Sequence, residues 1–226
     1  MTNARILALS IAWVAMSTPL ISAQDLSRYR EFQLGMSLVA VAQQAGITPE
    51  GRVLHPRPEL IEELMWLPPR VRGSSPEADS VRKILFSGYN GQLFRIVVTY
   101  DRGRTEGLTA EDMVEAISAK YGLAALPTTE MRPSLSRVSN DRDTILAHWE
   151  DSQYCLNLRS SDPSTFGLVV YSKRLDALAR AATVEAIGLD EQEAPQREIE
   201  RQQNQTEENR VKQEIARRVN KATFRP

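Results

Sequence analysis

Cysteine is nearly missing from this chain: Cys155 stands alone in 226 residues, so no intramolecular disulfide is available. Histidine is almost as scarce, and His55 and His148 belong to no short metal-ligand spacing, so no metal site is expected. No cofactor motif is present: Gly103 and Gly107 flank a charged turn without the spacing, or the following Lys-Ser or Lys-Thr, of a phosphate loop. No serine sits in a nucleophile-elbow glycine pattern. Neither sign of charge dominates, with 28 Lys plus Arg against 29 Asp plus Glu. No basic stripe interleaves with aromatics, which argues against a nucleic-acid partner. After the first 23 residues no apolar run approaches the length of a membrane span.

Those first 23 residues are the strongest signal present. Arg5 precedes an apolar run from Ile6 to Leu20, and small Ala23 stands at a cleavage point before Gln24. The run is short for a bilayer and has signal-peptide form, the alternative being an uncleaved anchor. Arg5 is the leader's one charge, so Gln24 to Pro226 keeps a net charge of about -2. No cysteine near Ala23 is available for lipid modification. A protein exported without disulfides must be held by its hydrophobic core, which suits the bacterial periplasm. The expected location is soluble, periplasmic or secreted, with no transmembrane segment once the leader is removed.

Ser37 is placed to cap a short helix that Gly46 ends. A Glu- and Pro-rich stretch, Pro49 to Pro69, contains a predicted strand from Ile61 to Leu67, and Arg70 to Ser80 reads as a loop. Val81–Tyr89 and Gln92–Tyr100 flank Asn90-Gly91, a dipeptide suited to the positive dihedrals of a tight hairpin. Alternation puts Phe94, Ile96, Val98 and Tyr100 on one face and Arg95, Val97 and Thr99 on the other. Asp101 to Gly107 reads as a turn. Thr109 then caps a helix, with Asp112 answering it, and Met113, Ala116, Ile117 and Tyr121 form its apolar stripe. Pro127 to Asp143 is a polar connection, and strands follow at Thr144–Trp149, Gln153–Arg159 and Thr165–Ser172. The pattern of Leu34 to Gly46 recurs at Leu108 to Gly122, and about three extended segments follow each. The expected fold is therefore α+β over residues 27–189: an antiparallel sheet packing one face on helices, with a helix-plus-three-strand unit used twice.

Leu175, Leu178, Ala181, Ala182 and Val184 support a last packed helix reaching about Leu189. Residues 190–226 change character, with strong helix formers and few apolar residues. They read as a charged tail, helical, coiled-coil-like or disordered, although Ile199, Val211, Ile215 and Val219 sustain no heptad seam over several turns.

No catalytic constellation emerges. Cys155 and His148 sit on neighbouring strands, but a strand interior lacks the features that lower a thiol pKa, and both are expected to be structural. Glu111 and Asp112 suit a helix N-terminus, and Asp141 and Asp143 a solvated loop. The candidate interaction surface is LMWLPPR, where Met65 and Leu67 face away from Leu64 and Trp66 and one pair must find a second partner. Arg70 ends that segment, and Arg102 and Arg104 add turn charges that suit a binding edge.

The opening FQLGMSLVAVAQQAG, Phe32 to Gly46, resembles the start of the SmpA/OmlA-like outer-membrane-assembly lipoproteins, through Gly35, Met36 and Ser37. The resemblance implies a short helix followed by antiparallel strands, in a fold shared with secreted beta-lactamase inhibitors. It also implies protein–protein interaction as the activity. The missing lipid-anchor cysteine departs from that pattern. The expected function is thus a non-catalytic interaction or accessory module with an envelope protein partner. A periplasmic small-molecule binder using the concave sheet face, and an uncommon hydrolase, are the alternatives.

Overall fold

Asn90 and Gly91 adopt φ values of 48° and 75°, and this tight turn joins the two longest neighbouring strands, β5 (Val81–Tyr89) and β6 (Gln92–Tyr100). The computed structural model describes residues 25–68, 79–125, 144–162, 165–223 and 225. The leader Met1–Ala23 with its cut before Gln24, Arg70 with most of its loop, and the connection carrying Asp141 and Asp143 lie outside the described residues.

Before the hairpin come β1 (Arg28–Tyr29), β2 (Phe32–Gln33), α1 (Leu38–Ala45), β3 (Arg52–His55) and β4 (Ile61–Trp66). After it come α2 (Arg102–Thr105), α3 (Ala110–Tyr121), β7 (Thr144–Glu150), β8 (Tyr154–Asp162), β9 (Thr165–Ser172) and α4 (Lys173–Thr223). The expected α+β architecture is what the chain forms. A seven-stranded antiparallel sheet runs β3-β4-β5-β6-β9-β8-β7, and β1 pairs β2 in a separate small ladder. α1 precedes four strands of the sheet, β3-β4-β5-β6, rather than the expected three, α3 precedes three, β7-β8-β9, and the two halves meet where β6 pairs β9.

Register explains the core. Leu64, Phe86, Ile96, Val170, Leu156 and Trp149 lie directly opposite one another from β4 to β7, and Trp66, Ile84, Val98, Leu168, Leu158 and Ala147 make the next row. Both rows face α1, α3 and the β1–β2 turn, and each large side chain buried there contributes about 1.5–3 kcal/mol. Capping follows the local sequence. The Ser37 hydroxyl accepts from Ala40 N at 3.2 Å, and Thr109 and Asp112 form a reciprocal capping box. Trp149 Nε1 donates to Gly122 O at 2.8 Å, and Tyr121 Oη to Arg28 O at 2.9 Å, which ties α3 to the sheet and to β1.

Several expectations fail for identifiable reasons. Arg95 pairs Ser87 while Leu93 pairs Gly88, so Phe94 is an extra residue in β6. This bulge shifts the alternation by one: Leu93 joins Ile96 and Val98 in the main core, and Phe94 turns to the opposite face beside Arg95. That opposite face carries α4, so the three helices do not share one side of the sheet. The face of α4 also differs from expectation. Leu175, Ala179, Ala182 and Ala186 are buried, whereas Leu178 and Val184 point outward at 42% and 68% exposure. Small alanines let the helix approach the sheet closely enough for Asp176 to reach Arg95.

The tail is neither a coiled coil nor disordered. Helix α4 is continuous over 51 residues, and among the described residues no other helix lies along its second half. Ile199, Val211, Ile215 and Val219 are exposed, and helix propensity is supplemented by pairs such as Glu198–Arg201 and Glu207–Arg210. Past the Arg57–Glu193 ion pair, residues 194–223 extend roughly 45 Å at the helical rise. The turn expected at Asp101 to Gly107 contains the one-turn helix α2, and β3 was hidden by the Pro- and Glu-rich composition around it.

Two stability tests follow from this packing. A Cβ at Gly88 would overlap Leu38 Cδ1, so Gly88→Ala should lower urea stability by about 1–3 kcal/mol. Combining it with Leu38→Ala should cost less than the sum of the two single changes. Arg95→Met leaves the buried Asp176 with Arg180 alone, at 2.9 Å, and should cost about 3 kcal/mol; Arg95→Met with Asp176→Leu should regain much of that loss.

Candidate functional site

β4 begins as an interior strand and finishes as an edge. β3 pairs it only from Ile61 to Glu63, and a Gly51 N–H to Pro49 O hydrogen bond turns the chain away beyond that point. Gly51 packs against Glu63 O and Leu64 Cδ2, a close approach that a larger residue would crowd. From Leu64 to Trp66 the outer edge of β4 has no paired strand among the described residues. Unpaired backbone N–H and C=O groups on such an edge are a template for a further strand.

Side chains along this segment divide as alternation requires. Leu64 is 2% exposed in the core and Trp66 packs against the same cluster. Met65 points to the α4 side, opposite Leu85, yet α4 crosses the sheet at the other end of β4, over Ile61. Met65 and Leu67 are left 56% and 58% exposed. Glu63 flanks Met65 on the same face, and burial pushes its carboxyl above the usual range, against the pull of Arg52 and Arg95.

The other candidate residues fall elsewhere. Arg102 and Arg104 follow the end of β6, near the end of the sheet that carries Met65. Arg102 is exposed on α2, while Arg104 is half-buried and lines a cavity against α3, on the opposite side of the sheet from Met65. Met65 and the two arginines therefore do not form one surface. Gly35, Met36 and Ser37 act in the fold. Gly35 takes φ 92°, its N–H donates to Leu93 O at 2.8 Å, Met36 O accepts from Leu93 N at 2.8 Å, and Ser37 caps α1.

His148 and Cys155 share the α4-side face of the sheet on adjacent strands, but each is opposite another residue, Asn157 and Glu150 respectively. His148 is buried on β7 with Nδ1 lacking a partner among the described residues, and its Nε2 lies 4.0 Å from Glu150 Oε1. The Cys155 thiol meets Asn157 Oδ1 at 3.5 Å, and burial pushes its pKa up, away from the thiolate. Among the described residues no group of three or more His, Cys, Asp or Glu side chains is arranged to hold a metal ion. Sequence reasoning missed the cavity beside Arg104, since Tyr29, Tyr100 and Tyr121 come from three separate elements.

The raised thiol pKa has a direct consequence. Native Cys155 should react with iodoacetamide at pH 8 more slowly than in urea, and its rate should keep rising above pH 9, past the ordinary thiol value of 9.0. Cys155→Ala should cost about 1–2 kcal/mol through lost packing.

No protein-family model, curated protein or solved structure matches the chain.

Proposed function

We propose that the protein is an exported, non-catalytic interaction module of the bacterial envelope, and that it receives an extended segment of a partner protein along the outer edge of β4. The observation carrying this reading is the coincidence of two exposures at one place. Among the described residues the β4 edge loses its strand partner after Glu63, and the apolar side chains of Met65 and Leu67 stand more than half exposed there. An added strand would satisfy the edge backbone and cover Met65, combining main-chain affinity with side-chain selectivity. The leader form of residues 1–23 supports export, and the Gly35-Met36-Ser37 resemblance supports an accessory role in the envelope. Among the described residues no helix is long and apolar enough to cross a membrane.

A photocrosslinking residue placed at position 65 in intact cells tests this reading. It should capture one reproducible envelope protein, while the same residue at Val184, an exposed apolar position on α4, should not. Met65→Asp with Leu67→Asp, still folded by urea denaturation, should weaken the purified complex about tenfold or more, equivalent to about 1.4 kcal/mol. Equal capture from positions 65 and 184, or affinity unchanged by the double substitution, would overturn the proposal.

A further inference from the structure

A cavity of about 340 Å³ opens where the end of β6 meets α2, α3 and the turn after β1. Its floor is apolar, built from Met113, Ile117 and Leu168, which also belong to the main core. Leu108, 43% exposed, continues that apolar surface to the mouth. Three cationic side chains, Arg30, Arg104 and Lys120, border the opening, and none of the described lining residues is a carboxylate.

The walls carry hydroxyls without negative charge. Tyr29, Tyr100 and Tyr121 all line the cavity, and burial raises each phenol pKa above its ordinary value, so all three remain neutral at physiological pH. Arg30 makes a bidentate pair with Asp79 at 2.7 and 2.6 Å, which fixes its guanidinium and balances its charge. The Lys120 ammonium sits 5.1 Å from the Tyr121 ring centroid and makes no ion pair among the described residues. The mouth therefore keeps a positive charge above an apolar floor.

That combination selects a ligand chemistry. A bare inorganic anion would leave the apolar floor uncovered, and a neutral hydrocarbon would leave the Lys120 charge unused. A volume of about 340 Å³ lies at the small end of ligand pockets, which run from about 300 to 1,000 Å³. We propose that this cavity binds a small free carboxylic acid, with its apolar body on Met113, Ile117 and Leu168 and its carboxylate at Lys120. Arg104 forms the facing lip. The site lies across the sheet from Met65 and does not depend on a partner strand at β4.

Titration of methionine-methyl-labelled full-length protein with sodium octanoate tests the site, with the Met113 signal assigned by its loss in Met113→Leu. The Met113 methyl should shift saturably with octanoate. Octanamide, which lacks the charge, should bind at least tenfold more weakly, and inorganic phosphate should leave the signal in place. Lys120→Met should weaken octanoate about three- to tenfold. Ala116→Trp, at an exposed lining position, should block the mouth and abolish the shift with thermal unfolding unchanged. Absence of a saturable shift, equal binding of octanamide, or indifference to Ala116→Trp would overturn the assignment. Tighter binding of an acetylated peptide ending in free leucine would also overturn it, by making a peptide terminus the occupant.

Discussion

The buried contact between Arg95 and Asp176 decides how the two layers on the α4 side of the sheet meet. Their side chains are 8% and 1% exposed, and Arg180 adds a second cation from the next turn of the helix. Removing such charges from water costs several kcal/mol, so the pair acts chiefly on position. It is satisfied only when Asp176 faces the sheet, which turns Leu175, Ala179, Ala182 and Ala186 inward and leaves Leu178 and Val184 outside. The bulge at Phe94 is the other half of the same constraint. It places a large ring and a guanidinium side by side on the α4 face while returning Ile96 and Val98 to the core.

From that seat α4 crosses the sheet from the end of β9 toward β3, over Phe94, Ile61 and Leu54, and makes its last ion pair with the body between Glu193 and Arg57. Coverage is therefore confined to one end of the strands. At the other end β4 has outrun β3, and among the described residues Met65 has β5 on one side but neither a strand on its outer edge nor a helix above it. The open edge thus results from where β3 stops, and the uncovered face of Met65 from where the helix lands. One apolar pair, Leu64 and Trp66, goes to the main core, and the remaining pair, Met65 and Leu67, is left for another surface.

The two halves of the sheet use the same local grammar, a capped helix followed by antiparallel strands, four after α1 and three after α3, but different anchors. α1 is joined to the β5–β6 hairpin by backbone bonds around Gly35 and Met36, and it needs the space that Gly88 leaves for Leu38. α3 is held by side-chain hydroxyl and indole bonds from Tyr121 and Trp149. This second arrangement leaves room beside α2, and there the tyrosine-walled cavity forms.

Local chemistry was readable from residue order alone. Asn90-Gly91 sets a hairpin turn, Ser37 and Thr109 cap helices, and the bounds of β5, β6 and β9 match the alternating runs, because each depends on residues within a few positions. The tail's helical bias was readable too, though not its unbroken continuation of the packed helix. Tertiary structure decided the rest. A one-residue bulge is invisible to alternation, since only the cross-strand partner Ser87 and the helix above it determine which face Phe94 takes. Whether Met65 is covered depends on where β3 stops and where α4 lands, and the cavity unites tyrosines from positions 29, 100 and 121. These are contacts between distant segments, and their energies come from burial and charge pairing that no local pattern carries.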